Sequence, residues 1–171
     1  MDYNKLAKEA HANAVKHGFW EIPVSKMHCL MLIVTEISDL VKAAKIGRRA
    51  NYAAYNAISR KSFDAFIKDT VEDEMADVAI RLCDFAGALN MHFEEFDPCD
   101  DGYPFHKFTL EESAYALTKG ICSRLEIEER IRLSLEFVTK WAEYMGVDLE
   151  WHVTEKMKYN AARPPKHGKA Y

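Results

Sequence analysis

Glu72-Asp73-Glu74-Met75-Ala76-Asp77-Val78-Ala79-Ile80-Arg81-Leu82 decides how this chain is read. Across it and its flanks Val71, Met75, Val78, Leu82, Phe85 and Leu89 recur at helical spacing, which predicts a helix over about 70–90. Within that apolar run Glu74 and Asp77 stand three residues apart, on one helical face. The segment Met31-Leu32-Ile33-Val34-Thr35-Glu36-Ile37-Ser38-Asp39 repeats the arrangement with Glu36 and Asp39. An acidic pair on an amphipathic helix is ordinarily its solvated face. Two pairs on two equally apolar helices weaken that reading, because carboxylates bordering a core cost energy unless a cation compensates them. Facing each other across a bundle, the four would offer hard oxygen ligands of the kind Mg²⁺ needs when it handles phosphates. Glu72 and Asp73 fall in the first helical turn, where they serve the helix dipole equally well, and are left outside the site.

Working outward, residues 2–17 predict a first amphipathic helix stopped by Gly18, followed by an extended Phe19-Trp20-Glu21-Ile22-Pro23. Ser25 is a good N-cap for a helix over about 26–45, with Met27, Leu30, Met31, Val34, Ile37, Leu40 and Val41 as its apolar stripe and Gly47 as its stop. Residues 48–68 form a short, basic insertion with Tyr52, Tyr55, Phe63 and Phe66 in it, expected as a solvated loop with room for a short helix. Asp69-Thr70-Val71-Glu72 reads as a capping box, and so does Thr109-Leu110-Glu111-Glu112, which opens a helix to about 126 after a loop over 91–108. Further helices are expected over about 128–145, ending at Gly146, and from Asp148 to about Ala162. There Arg163-Pro164-Pro165 breaks the pattern and leaves a flexible tail over 164–171. No strand-like alternation competes. The expectation is an all-α fold, a bundle of four to six helices in one domain spanning 1–171.

Composition narrows the function classes. With 171 residues, 49% hydrophobic and 29% charged, the chain can bury a real core. A formal charge of -4 argues against a general binder of nucleic acid or of an anionic membrane. No apolar stretch reaches membrane-spanning length, and Met1-Asp2-Tyr3-Asn4-Lys5 does not open like a signal peptide, so a cytoplasmic protein is expected. Cys29, Cys83, Cys99 and Cys122 are widely scattered. Cys29, Cys83 and Cys122 lie in apolar helical stretches, as buried free thiols do.

Near the C-terminus Lys156, Asn160 and Arg163 share one helical face at i, i+4, i+7, beside an apolar stripe of Leu149, Val153 and Met157. Alone this is an ordinary basic helix end. Alongside two carboxylate pairs it makes sense as the anion half of a metal–polyphosphate site. Other patterns fail. Asp97-Pro98-Cys99-Asp100-Asp101-Gly102 lacks the closing Glu of a calcium loop, with Phe108 in its place, and His92, Cys99 and His106 are too loosely spaced for zinc. There are no paired ExxH motifs, no P-loop and no GxSxG, and no Cys–His pair is singled out.

The two acidic segments resemble the ExxE…ExxD signature of the MazG-like nucleotide pyrophosphohydrolases, an all-α superfamily. The ending Lys156-Met157-Lys158-Tyr159-Asn160-Ala161-Ala162-Arg163-Pro164 with His167-Gly168-Lys169 resembles the ending of many such chains. The resemblance runs from about Gly18 to the C-terminus. It implies a helical bundle, dimeric or tetrameric, with Mg²⁺ (Mn²⁺ as a substitute) held at Glu36, Asp39, Glu74 and Asp77. It further implies hydrolysis of a nucleoside triphosphate between the α and β phosphates, with Lys156, Asn160 and Arg163 on phosphate oxygens and Trp20 near the base. Attack by a metal-activated water, with Glu36 as proton acceptor and Lys156 and Arg163 stabilising charge, is the mechanism expected. Asp39 stands where the motif commonly has Glu, and the spacer between the acidic motifs is longer than usual. Those departures leave two alternatives: a dUTPase-like enzyme of narrow dNTP specificity, or a helical nucleotide-binding or assembly module without catalysis.

Overall fold

The computed structural model describes residues 1–57, 62–94 and 103–165. Among them the chain is all-helical, with no strand. Six long helices, α1 (Tyr3–Lys16), α2 (Lys26–Lys45), α5 (Val71–Ala88), α6 (Leu110–Ile121), α7 (Ile127–Tyr144) and α8 (Leu149–Ala161), agree with the bundle expected from the sequence. Two short ones, α3 (Tyr52–Ala57) and α4 (Phe63–Phe66), are additional. No described helix is long and apolar enough to cross a membrane.

The helix ends follow their local chemistry. The Ser25 hydroxyl accepts the amide N–H of His28, Thr109 and Glu112 exchange the two bonds of a capping box, and the Asp148 carboxylate accepts from the Trp151 N–H. Gly18, Gly47 and Gly146, just past the ends of α1, α2 and α7, all take positive φ. At α5 the cap is one residue later than the sequence suggests. Thr70 accepts the Asp73 N–H, while Asp69 adopts a φ of 58° and gives its own N–H to the Asp73 carboxylate. Helix α6 stops at Ile121, short of the expected 126, and the cysteine that follows it, Cys122, is exposed rather than buried.

Helix α5 is the axis of the molecule. It packs against α1, α2, α7 and α8, and fourteen of its eighteen residues are buried, so its acids go inside with its apolar residues. Where α1 crosses it, a Cβ built on Gly87 would lie 2.5 Å from the Ala7 carbonyl oxygen, so only glycine permits this approach. Helix α2 presents Cys29, Leu30, Ile33, Ile37, Leu40 and Ala43 to the core, a seam rotated from the expected stripe: Met27 and Met31 face outward. Glu36 and Asp39 lie at the edge of that seam, half-buried.

The insertion is not a solvated loop. Buried Tyr55, Phe63 and Ile67 pack with Phe66, Trp151 and Tyr159, which fastens α3 and α4 to α8. Glu72 completes the attachment by accepting from Arg49 and from the Ala50 N–H. The Tyr52 hydroxyl meets His152 Nε2 at 2.7 Å. Of the predicted loop, Phe105–Lys107 forms a 3-10 turn whose Phe105 is buried against Phe137 and Trp141. The rejected calcium-loop segment, Cys99 and the ending His167-Gly168-Lys169 lie outside the described residues.

Candidate metal and anion site

Helices α2 and α5 bring the predicted acids to one cleft of about 290 Å³. One ligand oxygen each from Glu36, Asp39 and Glu74 lies within 4.8 Å of the others. Asp77 lines the same cleft, but its Oδ2 is 2.6 Å from the Lys156 ammonium. A second hollow of about 300 Å³ shares Asp39, Asp69 and Glu74 with the first and adds Lys42 and Arg48.

Each acid is compensated differently. Arg81, four residues beyond Asp77, holds Glu36 at 3.0 Å. Burial works against the Arg81 charge, but Glu36 outweighs it and keeps the guanidinium above its ordinary pKa. Lys42 reaches Asp39 at 2.7 Å on the exposed side of α2. Glu74 has no ion pair among the described residues and is only 7% exposed. Burial, with the charges of Asp77 and Asp73, pushes its carboxyl up to about 8 against the pull of Lys156.

Sequence reasoning left Asp73 outside the site, and the structure ties it to the site through Lys156, although it does not line the cleft. Asp73 is fully buried, 2.6 Å from Lys156, and its Oδ1 makes no hydrogen bond among the described residues. Burial pushes this carboxyl up and Lys156 pulls it back down. For Lys156 burial opposes the charge, and the two aspartates overcome it, so the ammonium stays protonated. Lys156 was expected on phosphate; here it is enclosed between two carboxylates of α5. No spacing rule reveals this partner, because the pair is 83 residues apart.

Asn160 of α8 and Arg163, just past the end of that helix, line the cleft, and Lys68 joins from the insertion. The Asn160 amide oxygen is buried without a hydrogen bond among the described residues. Trp20 does not line this cleft. It borders a small neighbouring pocket of about 30 Å³ and donates its indole N–H to Asp84 at 3.0 Å, while Phe19 lines both spaces. Burial holds the Cys29 thiol up at about 11 and raises that of Cys83 further, so neither is a nucleophile near neutral pH.

No family model matches the chain, and comparison with curated proteins and with solved structures finds no similar one.

Three clustered carboxylates with a fourth beside them are a hard-oxygen donor set, and the raised Glu74 is a group that a cation would return to its ionised form. The residues fit Mg²⁺. With cations along its borders, the cleft suits a ligand that is itself polyanionic.

Proposed function

We propose that this protein is a Mg²⁺-dependent nucleoside triphosphate pyrophosphohydrolase that cleaves between the α and β phosphates, giving a nucleoside monophosphate and pyrophosphate. The convergence of Glu36, Asp39 and Glu74 carries the reading, because it lines the cleft and, through Asp39 and Glu74, also the adjoining hollow, and the two spaces differ in their other walls. Lys42 and Arg48 line the adjoining hollow, and Phe19, Ala10 and Asp84 line the cleft itself. A phosphate chain suits the first and a nucleoside the second. The motif resemblance points the same way.

Mg²⁺ held by the three carboxylates would neutralise phosphate charge and make water acidic enough to attack at neutral pH. The chain's own residues do the rest. Lys156 fixes Asp73 and Asp77 so that the acidic face of α5 keeps its shape. Arg163 and Lys68 bind phosphate oxygens and stabilise charge on them in the transition state, and Asn160 offers a neutral amide beside them. The attacking water loses its proton to Glu36 or Glu74, the long carboxylates of the cluster. Homo-oligomerisation belongs to the same proposal, on the resemblance alone.

The test is pyrophosphate release from a panel of NTPs and dNTPs, with Mg²⁺ or Mn²⁺ and with EDTA. Metal-dependent pyrophosphate is the expected product, and Glu74→Gln should lower turnover by about a hundredfold or more while remaining folded. Orthophosphate as the first product would sink the bond assignment. Nucleotide binding without turnover would favour a binding module, a reading helped by the ion pairs that already occupy Glu36 and Asp39. Turnover confined to dUTP would mark a narrow dUTPase-like enzyme.

A further inference from the structure

One buried acid has no part in the reaction just described. Asp84 lies on α5 ten residues beyond Glu74 and seven beyond Asp77, about 15 and 10 Å along the helix axis. Glu74, Asp77, Arg81 and Asp84 follow one another at i, i+3, i+7 and i+10, so they form a single row facing the cleft. The row begins in the acid cluster and ends at the wall assigned to the nucleoside, a separation on the scale of a nucleotide.

Asp84 is held by unusual partners. Its Oδ1 accepts the Trp20 indole N–H at 3.0 Å and lies 2.9 Å from His11 Nδ1, and the two rings meet edge to face at 5.0 Å. The indole has one donor and no acceptor, so it fixes the carboxylate in place without competing for its other oxygen. Oδ2 makes no hydrogen bond among the described residues, and the side chain is 12% exposed in the wall of the cleft. Beside it Ala10 and Ala14 of α1 keep the wall low, and Phe19 lines the same wall with the Arg81 guanidinium 5.7 Å over its ring. A flat ring laid against that wall would meet one acceptor at its edge.

Resting on the nucleotide reading above, we infer that Asp84 selects the base: its second oxygen accepts a hydrogen bond from an exocyclic amino group. Cytosine, adenine and guanine carry such a donor. Uracil and thymine present carbonyl oxygens beside their single ring N–H, and a carboxylate at that edge is repelled by them. A hydrogen bond to a charged acceptor is worth about 1.5–3 kcal/mol, so discrimination of roughly tenfold to a hundredfold is expected. Trp20 is then a positioning residue that acts through Asp84.

The experiment is equilibrium binding with Mg²⁺ of α,β-imido analogues of dCTP and dUTP, followed by steady-state kinetics on the parent nucleotides. Binding is read whether or not the protein turns nucleotides over, so failure of the reaction and failure of base selection are separate results. Wild-type protein should favour the cytosine analogue by at least about tenfold. In Asp84→Asn the amide oxygen still accepts from Trp20 and His11 while its NH₂ faces the cleft, so the preference should vanish or invert. Trp20→Phe should weaken the discrimination without affecting phosphate binding, measured with inorganic pyrophosphate. Equal affinity for the two analogues in wild type, a uracil preference, or equal loss of both in Asp84→Asn would overturn the assignment. Should Asp84→Asn not fold, the wild-type comparison alone decides.

Discussion

Glu74 is where the cost of the site is concentrated. An acid whose folded pKa is raised stabilises the fold below its unfolded value and loses that contribution as pH rises. The metal-free protein therefore loses stability through Glu74 between about 4.5 and 8. Glu74→Gln removes that loss. At pH 8 without metal the variant should melt about 4 °C or more above wild type, in scanning calorimetry, and should lack the Mg²⁺-dependent rise in melting temperature that the proposed metal site predicts for wild type. A lower melting temperature than wild type under those conditions would contradict the desolvation account. Lys156 predicts the opposite sign. Lys156→Met leaves Asp73 and Asp77 inside without their cation, which should cost roughly 3–5 kcal/mol in denaturant unfolding. A loss under about 1 kcal/mol would mean the pair is solvated. The four acids of the motifs were legible because each pair sits three residues apart in an apolar run. Asp73 was not, since a first-turn acid looks the same whether it serves the dipole or a lysine on α8. Asp84 was hidden for a related reason: His11 and Trp20 are 73 and 64 residues away, and the only local signal was a carboxylate between Cys83 and Phe85.

At the scale of elements, the site depends on how closely α5 can be approached. Gly87 lets the α1 backbone sit against α5, and Ala10 and Ala14 continue that close contact to the cleft wall. Gly87→Ala places a methyl 2.5 Å from a backbone oxygen and 2.6 Å from the His11 Cβ. Its helix-propensity gain of about 1 kcal/mol is outweighed, and a net loss of roughly 1–3 kcal/mol is expected in urea unfolding. A stabilised variant would show that α1 can shift freely. Helix starts were readable from sequence at Ser25, Thr109 and Asp148, where a side chain makes the cap, and off by one residue at Thr70. The α2 stripe was not, because Met27 and Met31 are as apolar as the residues that do face the core, and only packing against α5 separates them. The insertion showed its hand through Tyr55, Phe63 and Phe66, but their partners, Trp151 and Tyr159, are far along the chain.

Over the whole molecule, pH acts through opposing groups. Burial holds the His152 imidazole down at about 4. The unfolded chain takes up that proton near 6.5 and the folded chain resists it until about 4. His152 therefore contributes stability above about 6.5 that is lost as pH falls toward 4. In that window His152→Gln, which keeps a polar partner for Tyr52, should show a shallower fall in unfolding free energy than wild type between pH 7 and 5. An equal slope in the two proteins would exclude His152 as the source. The all-helical architecture was plain in the sequence; the central place of α5 was not, because a helix with six acidic and basic residues does not advertise burial on nearly every side. That placement has a consequence for how this chain would evolve under a selector. A library screened only for folding, in chelator, would drift toward amides and aliphatics at positions 74 and 84. The same library grown under selection for nucleotide handling would hold its carboxylates there, so the difference between the two surviving populations would trace the working surface of the protein residue by residue.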